Sequence, residues 1–171
     1  MSNAPHLNIP VGVIVERSKG TTPWAEFYWR ATGVLPGQPE TPAWTILSDD
    51  GERVTFYAGT AEVDVRGTET GFYRDNLNSG APSLWVALRA ADGEPPFTIA
   101  AVTADPAEGE SFTEAGTDLV EQVPMPLSIQ QVLAAYVAEH HVEQPFYKRK
   151  RDRANPEAMA RRGRTSGDDL E

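Results

Sequence analysis

The 171-residue sequence contains no cysteine. That absence removes disulfide bridges, thiolate metal sites, iron–sulfur ligation and a cysteine nucleophile from consideration, and it fits a reducing compartment. No apolar run approaches the roughly 18 residues that a membrane-spanning helix needs. The opening MSNAPHLNIP has neither a cationic start nor an apolar core, so it does not read as a secretory signal, and the expected location is cytoplasmic. Histidine is scarce, with only His6, His140 and His141. No P-loop, no G-x-S-x-G, no H-E-x-x-H and no dinucleotide fingerprint occurs. Carboxylates are plentiful, but acids scattered over an acidic surface are not an acid–base pair. The expectation is a non-catalytic protein, with no catalytic residue, no resident metal and no cofactor.

What is present suits one folded domain. Apolar residues make up 40% of the chain, and 4 Trp, 5 Tyr and 6 Phe can furnish a core. A chain of this length buries roughly 70% of its unfolded surface. Charge is distributed unevenly along it. Residues 1–140 carry seven Lys/Arg and nineteen Asp/Glu, a net of −12, whereas residues 148–164 carry eight Lys/Arg against Asp152 and Glu157, a net of +6. Such asymmetry marks a tail with a partner of its own, or one that folds back on the acidic body. The expected organisation is a disordered lead over 1–9, a globular domain over 10–147 and a basic, mostly flexible tail over 148–171.

Periodicity gives the elements. Val11, Val13 and Val15 alternate, which predicts a strand over 11–17. Phe27, Trp29 and Ala31 alternate with Tyr28, Arg30 and Thr32 in a second strand with aromatic bulk on both faces. Asp50-Gly51 between apolar alternations predicts a tight hairpin within 44–59. A further strand over 61–66 places Ala61, Val63 and Val65 inward. A helix capped by Thr68 follows, with Phe72, Tyr73 and Leu77 on one side and Gly80 ending it. Strands are predicted over 83–90 and 97–104, the latter central, and over 118–123. Asp105, Pro106 and Glu108 make a capping box with a proline at the first helical position, and Gly116 closes that helix. Ser128 with Gln131 predicts another capping box. Ile129, Val132, Leu133, Tyr136 and Val137 then form one apolar stripe in a helix running to about Val142 and stopped by Pro145. The fold class is α+β: a single, mostly antiparallel sheet of about seven to eight strands with about three helices and a basic C-terminal tail.

Two stretches invite functional readings. The run HHVEQPFYKRKRDR, residues 140–153, places Phe146 and Tyr147 beside Lys148, Arg149, Lys150, Arg151 and Arg153. An aromatic anchor with cations at its rim suits an acidic protein partner. Nucleic acid is disfavoured by the acidic body, and a solvated tail is the plain alternative. Adjacent helical residues point about 100° apart, so His140 and His141 are poorly placed to chelate one ion; histidine at a helix C-terminus suits the macrodipole instead. Trp24, in the proline-containing loop TTPW, reads either as core or edge cover or as a partner hot spot.

In order along the chain, VGVIVER, PWAEFYWRATGVLPG, RDNL, SLWVALR, VTADPAEGESF, VEQVPMP and YVAEHHVEQPFYKRKRDR resemble a small bacterial family of unknown function over about residues 10–153. Its members are typically encoded beside molybdenum-dependent formate dehydrogenase subunits and their accessory proteins. The resemblance implies a cytoplasmic accessory or adaptor protein in assembly, maturation or cofactor loading of such a dehydrogenase. The implied partner is a formate dehydrogenase subunit or its maturation chaperone. Relatives sometimes carry the label molybdopterin-guanine dinucleotide biosynthesis protein A, which implies as an alternative a nucleotide-binding enzyme of the molybdopterin pathway. Here GVLPGQPETP, residues 33–42, lacks the Arg and Lys of such an enzyme's phosphate loop. A nucleic-acid-associated regulator using the basic tail is a third reading.

Overall fold

The structure is a computed structural model and describes residues 6–24 and 26–142. The described residues up to His141 belong to one compact unit, and of the second, Val142–Glu171, only Val142 is described. Seven strands form one sheet: β1 (Leu7–Lys19), β2 (Phe27–Pro36), β3 (Thr45–Asp49), β4 (Arg53–Val65), β5 (Ser83–Ala90), β6 (Phe97–Thr103) and β7 (Asp118–Pro124). Three helices accompany them: α1 (Thr70–Leu77), α2 (Pro106–Ala115) and α3 (Leu127–His140). The unit is α+β, and its sheet is mostly antiparallel.

Strand order is β2-β1-β4-β6-β5-β7, with β3 paired to β4. Every pairing is antiparallel except β4 with β6, which meet at Val63 and Val102. β4 therefore shares one edge between two neighbours, β3 along its first half and β6 near its end. The terminal strands of the order, β2 and β7, lie against one another, so the sheet curls nearly into a barrel.

Bulges help it curl. Opposite β1, Ile14 faces Gly33 and Val15 faces Ala31, which leaves Thr32 as an extra residue in β2. On the other side Val13 faces Gly59 and Ile14 faces Tyr57, which leaves Ala58 extra in β4. Gly59, at φ 134°, adopts a backbone angle that other residues rarely take. The stretches expected as separate strands before and after this glycine are one bent 13-residue strand.

The core face carries Val11, Val13 and Val15 with Ala31, Val34, Val63, Val65, Leu84, Val86 and Leu88, all buried. Tyr73 of α1 and Ile129, Leu133, Tyr136 and Val137 of α3 join the same cluster. Burying one such aliphatic side chain stabilises by about 1.5–3 kcal/mol. Buried Asn76 ties α1 to the sheet: its amide donates to the Ser83 and Ala104 carbonyls at 2.8 Å each and accepts from Ser83 N–H at 3.0 Å.

Several expectations are corrected. β1 begins at Leu7, opposite Val65, so residues 7–9 of the expected lead are sheet. Thr68 lies in a 3₁₀ turn over Gly67–Glu69 and does not cap α1; Phe72 is exposed, and the buried face is Thr70, Tyr73 and Asn76. Ser128 is inside α3, whose N-cap is Pro126; Gln130 instead donates to the Met125 carbonyl at 2.8 Å. Val132 is exposed, and the helix ends at His140 rather than Val142. α2 is capped as expected: Asp105 accepts from Ala107 N–H at 2.9 Å, and Gly116 closes the helix at φ 69°. Thr103 Oγ1, rather than Glu108, accepts the Asp105 N–H.

Candidate partner-binding surface

The C-terminal end of β1 organises the surface. Alternation puts Arg17 on the core face, continuing Val13 and Val15, and turns Ser18 to the other side. Across the sheet Arg17 faces Trp29 and Val54, Ser18 faces Tyr28 and Arg53, and Lys19 faces Phe27. The connection to β2 is closed at its base by Gly20 N–H donating to the Glu26 carbonyl at 3.0 Å, and Lys19 N–H donates to the Glu52 carbonyl at 3.1 Å. Trp24 stands on this loop at 89% exposure, and Phe27 and Tyr28 beside it are 41% and 47% exposed. The core or edge-cover reading of Trp24 is thereby replaced by an exposed one.

On the core side the Arg17 guanidinium lies 4.4 Å from the centre of the Phe27 ring, 5.6 Å from Phe56 and 5.7 Å from Trp29. Trp29 stacks on Phe56 at 5.7 Å, meets Trp44 edge-on at 6.1 Å and touches Phe97 at 5.8 Å. Trp44 reaches this cluster from a left-handed backbone, φ 65°, with its N–H on the Tyr57 carbonyl. A bulky residue held there costs about 1–3 kcal/mol. Its edge-on contacts with Trp29 and Phe56 are each worth about 0.5–1.5 kcal/mol beyond area burial and offset that cost.

On the other side Ser18, Lys19, Gly20, Thr21, Tyr28, Glu52 and Arg53 line a cleft of about 440 Å³. Its lining includes three hydroxyl-bearing residues, two cationic ones and one acid. The neighbouring hairpin turn keeps its acids occupied. Asp49 accepts Gly51 N–H at 2.9 Å, and Asp50 accepts the N–H groups of Glu52 and Arg53 at 2.9 and 2.7 Å. These bonds, Arg53 N–H first and then Glu52 N–H, hold the Asp50 carboxyl below its ordinary range.

A second polar group gathers where β4 and β6 end. Arg66 pairs with Asp64 at 2.8 Å, His6 Nδ1 lies 3.2 Å from Asp64, and Arg66 N–H donates to the Tyr73 hydroxyl at 3.0 Å. Burial pushes the Tyr73 hydroxyl up to about 12. Glu108 is raised, first by partial burial and then by Asp105, although its outer edge is exposed. The Arg66–Tyr73 bond fastens α1 to the end of β4.

The two histidines diverge. His140 packs on the Tyr136 ring at 4.6 Å, with Nε2 3.7 Å from Glu139. His141, the C-cap of α3, places Nε2 3.3 Å from Arg74 and Nδ1 3.0 Å from Thr70 Oγ1. A guanidinium only donates, so Nε2 accepts from Arg74 and Nδ1 donates to the Thr70 hydroxyl. His141 thus links α3 to α1. Among the described residues no three His, Asp or Glu are grouped to hold a metal, and no helix is long and apolar enough to cross a membrane.

Of the residues singled out from sequence, Trp24 is on this surface. Phe146, Tyr147, Lys148, Arg149, Lys150, Arg151 and Arg153 lie outside the described residues. Sequence reasoning missed Arg17, Lys19 and Arg53. Cations at the end of an alternating strand and just after a predicted hairpin were the available signal, but only the β1–β4 pairing brings them together.

Fold and surface define an α+β domain with a nearly closed sheet and an aromatic, cation-bearing rim at one end. The chain belongs to the family described as a protein of unknown function, DUF3305, whose sequence model matches residues 10–150. No curated protein and no solved structure matches it.

Proposed function

We propose that this protein is a non-catalytic adaptor that docks on a partner protein through the Trp24 loop and the cationic segment Phe146–Arg153. The observation that carries this reading is Trp24. A tryptophan at 89% exposure, beside half-exposed Phe27 and Tyr28, is the residue type that dominates binding energy at interfaces. The charge reversal after α3 supports it, since the eight Lys/Arg of residues 148–164 follow directly on an acidic domain.

The partner class comes from the sequence resemblance: a subunit of a molybdenum-dependent formate dehydrogenase or its maturation chaperone, met in the cytoplasm during assembly or cofactor loading. Affinity purification of the tagged full-length protein from native extract tests this. The expected result is recovery of that subunit or chaperone, strongly reduced when Lys148, Arg149, Lys150 and Arg151 are changed to Ser or when Trp24→Ala is introduced. Undiminished recovery with both variants rejects the docking surfaces; recovery of neither class of partner rejects the formate dehydrogenase assignment.

A further inference from the structure

The three helices differ in what they turn to solvent. α1 exposes Arg74 and Asp75, and α2 exposes Glu108, Glu110 and Glu114. α3 has no charged residue from Leu127 to Ala138, in a chain of which 23% is charged. Its buried side is Ile129, Leu133, Tyr136 and Val137. Its outer side is Leu127 at 68% exposure and Val132 at 42%, with Gln131, Ala134, Ala135 and Ala138 also exposed. A surface helix carries charged and polar residues opposite its core stripe; one that is uncharged and mostly apolar all round is suited to being covered on both sides. Leu127, Gln131, Ala134 and Ala138 recur at intervals of four, three and four residues, the spacing of a helix-pairing seam.

We propose that α3 pairs with α3 of a second copy of this chain, antiparallel across a two-fold axis. In that arrangement Leu127 of each copy lies on Ala138 of the other, and Gln131 lies on Ala134. A long side chain meets a short one at each step, so the helix axes can approach closely. The ends are complementary in charge. α3 begins at Pro126, with no side chain capping its first N–H groups. Glu139, near its other end, has a side chain 76% exposed and meets only His140, at 3.7 Å, among the described residues. Antiparallel pairing brings Glu139 of one copy to the positive N-terminal end of the other, at Ser128. A parallel pair would instead set the two Glu139 carboxylates side by side.

Charge and shape select a second copy over other occupants. Residues 1–140 carry a net −12, so two copies repel wherever their acids face each other; this uncharged face is where they can meet without that repulsion. An unrelated helix would find no charge along the seam to specify it, whereas the order of long and short side chains complements a reversed copy of itself. A 14-residue helix is about 21 Å long and offers less than the roughly 800 Å² per partner of a standard interface. The dimer should therefore be reversible, with a dissociation constant on the order of micromolar. The inference goes beyond the adaptor reading, since a dimer carries two Trp24 loops.

Sedimentation equilibrium of the full-length protein, from low to high micromolar concentration, tests this. A reversible monomer–dimer equilibrium is expected. The double variant Ala135→Glu/Ala138→Glu, at two exposed positions that keep good helix formers, should weaken it about tenfold or more, with an unchanged circular dichroism spectrum. Because the chain has no cysteine, oxidation of Leu127→Cys/Ala138→Cys gives a second reading. It should trap a covalent dimer, while Leu127→Cys alone should not, because antiparallel pairing holds the two copies of that residue apart. A monomer at every concentration overturns the proposal. So does a dimer that Ala135→Glu/Ala138→Glu leaves unchanged, one that only Trp24→Ala or the Lys148/Arg149/Lys150/Arg151→Ser variant dissolves, one that the cysteine pair does not trap, or one trapped equally by Leu127→Cys alone. The adaptor reading fails separately, through the affinity purification described above.

Discussion

Tyr57 is 1% exposed, and its hydroxyl has no hydrogen-bond partner among the described residues. Leaving such a group buried and unpaired costs about 1–3 kcal/mol. Tyr57→Phe removes the hydroxyl and keeps the ring, so its melting temperature should rise or hold; a fall of several degrees would mean that the hydroxyl has a stabilising role. The same ring explains Gly12. A Cβ there would stand 2.7 Å from Tyr57 Cε2, inside contact distance. Gly12→Ala should therefore destabilise by about 1–3 kcal/mol in a denaturant titration, because the buried ring must move. From sequence, Gly12 looked like an ordinary member of an alternating strand. Nothing local announces a ring arriving from a strand 45 residues away.

At the scale of elements, the capped helix and the tight turn follow from a few side chains. Asp105→Ala removes the acceptor for Ala107 N–H and should cost about 0.5–2 kcal/mol, measured by chemical denaturation. The β3–β4 turn carries a pH dependence. Asp50 is depressed below its ordinary value of 3.8, so the stability it contributes is full above that value and is lost as pH falls through the lower, folded one. Asp50→Asn should flatten the acid limb of the stability–pH curve there, as followed by thermal melts between neutral and strongly acidic pH. α1 and α3 show the limit of pattern reading. Phe72 and Val132 fit apolar stripes yet face solvent, because each helix contacts the core along a narrower line than its apolar residues mark out. Asn76 fills a buried position that hydrophobic patterning would never assign to it.

For the whole molecule, β1 is the keel. It is hydrogen-bonded on both sides, to β2 over Val11–Lys19 and to β4 over Leu7–Ser18. β3 is short, pairs with β4 on one side and leaves Ile46 and Leu47 exposed. Amide hydrogen exchange should be slowest in β1 between Val11 and Val15 and markedly faster in β3. Equal protection of the two would contradict this sheet order. The near-closure of the sheet also places the rim. β1 ends where β2 and β4 begin, so the aromatic loop, Lys19 and Arg53 come to one end of the sheet.

The sequence by itself determined the α+β class, the Asp50-Gly51 hairpin, the capped α2, the inward valines of β1 and β4, and the charge reversal after the last helix. Each depends on neighbours within a turn of helix or a few residues of strand, where propensity and periodicity act directly. The tertiary structure alone decided which strands pair, the bulges at Thr32 and Ala58, the strained insertion of Trp44 and the convergence of Arg17, Lys19 and Arg53 with exposed Trp24. Those depend on pairing between segments far apart in the chain. Period-two alternation says which way a side chain points, not which strand lies beside it.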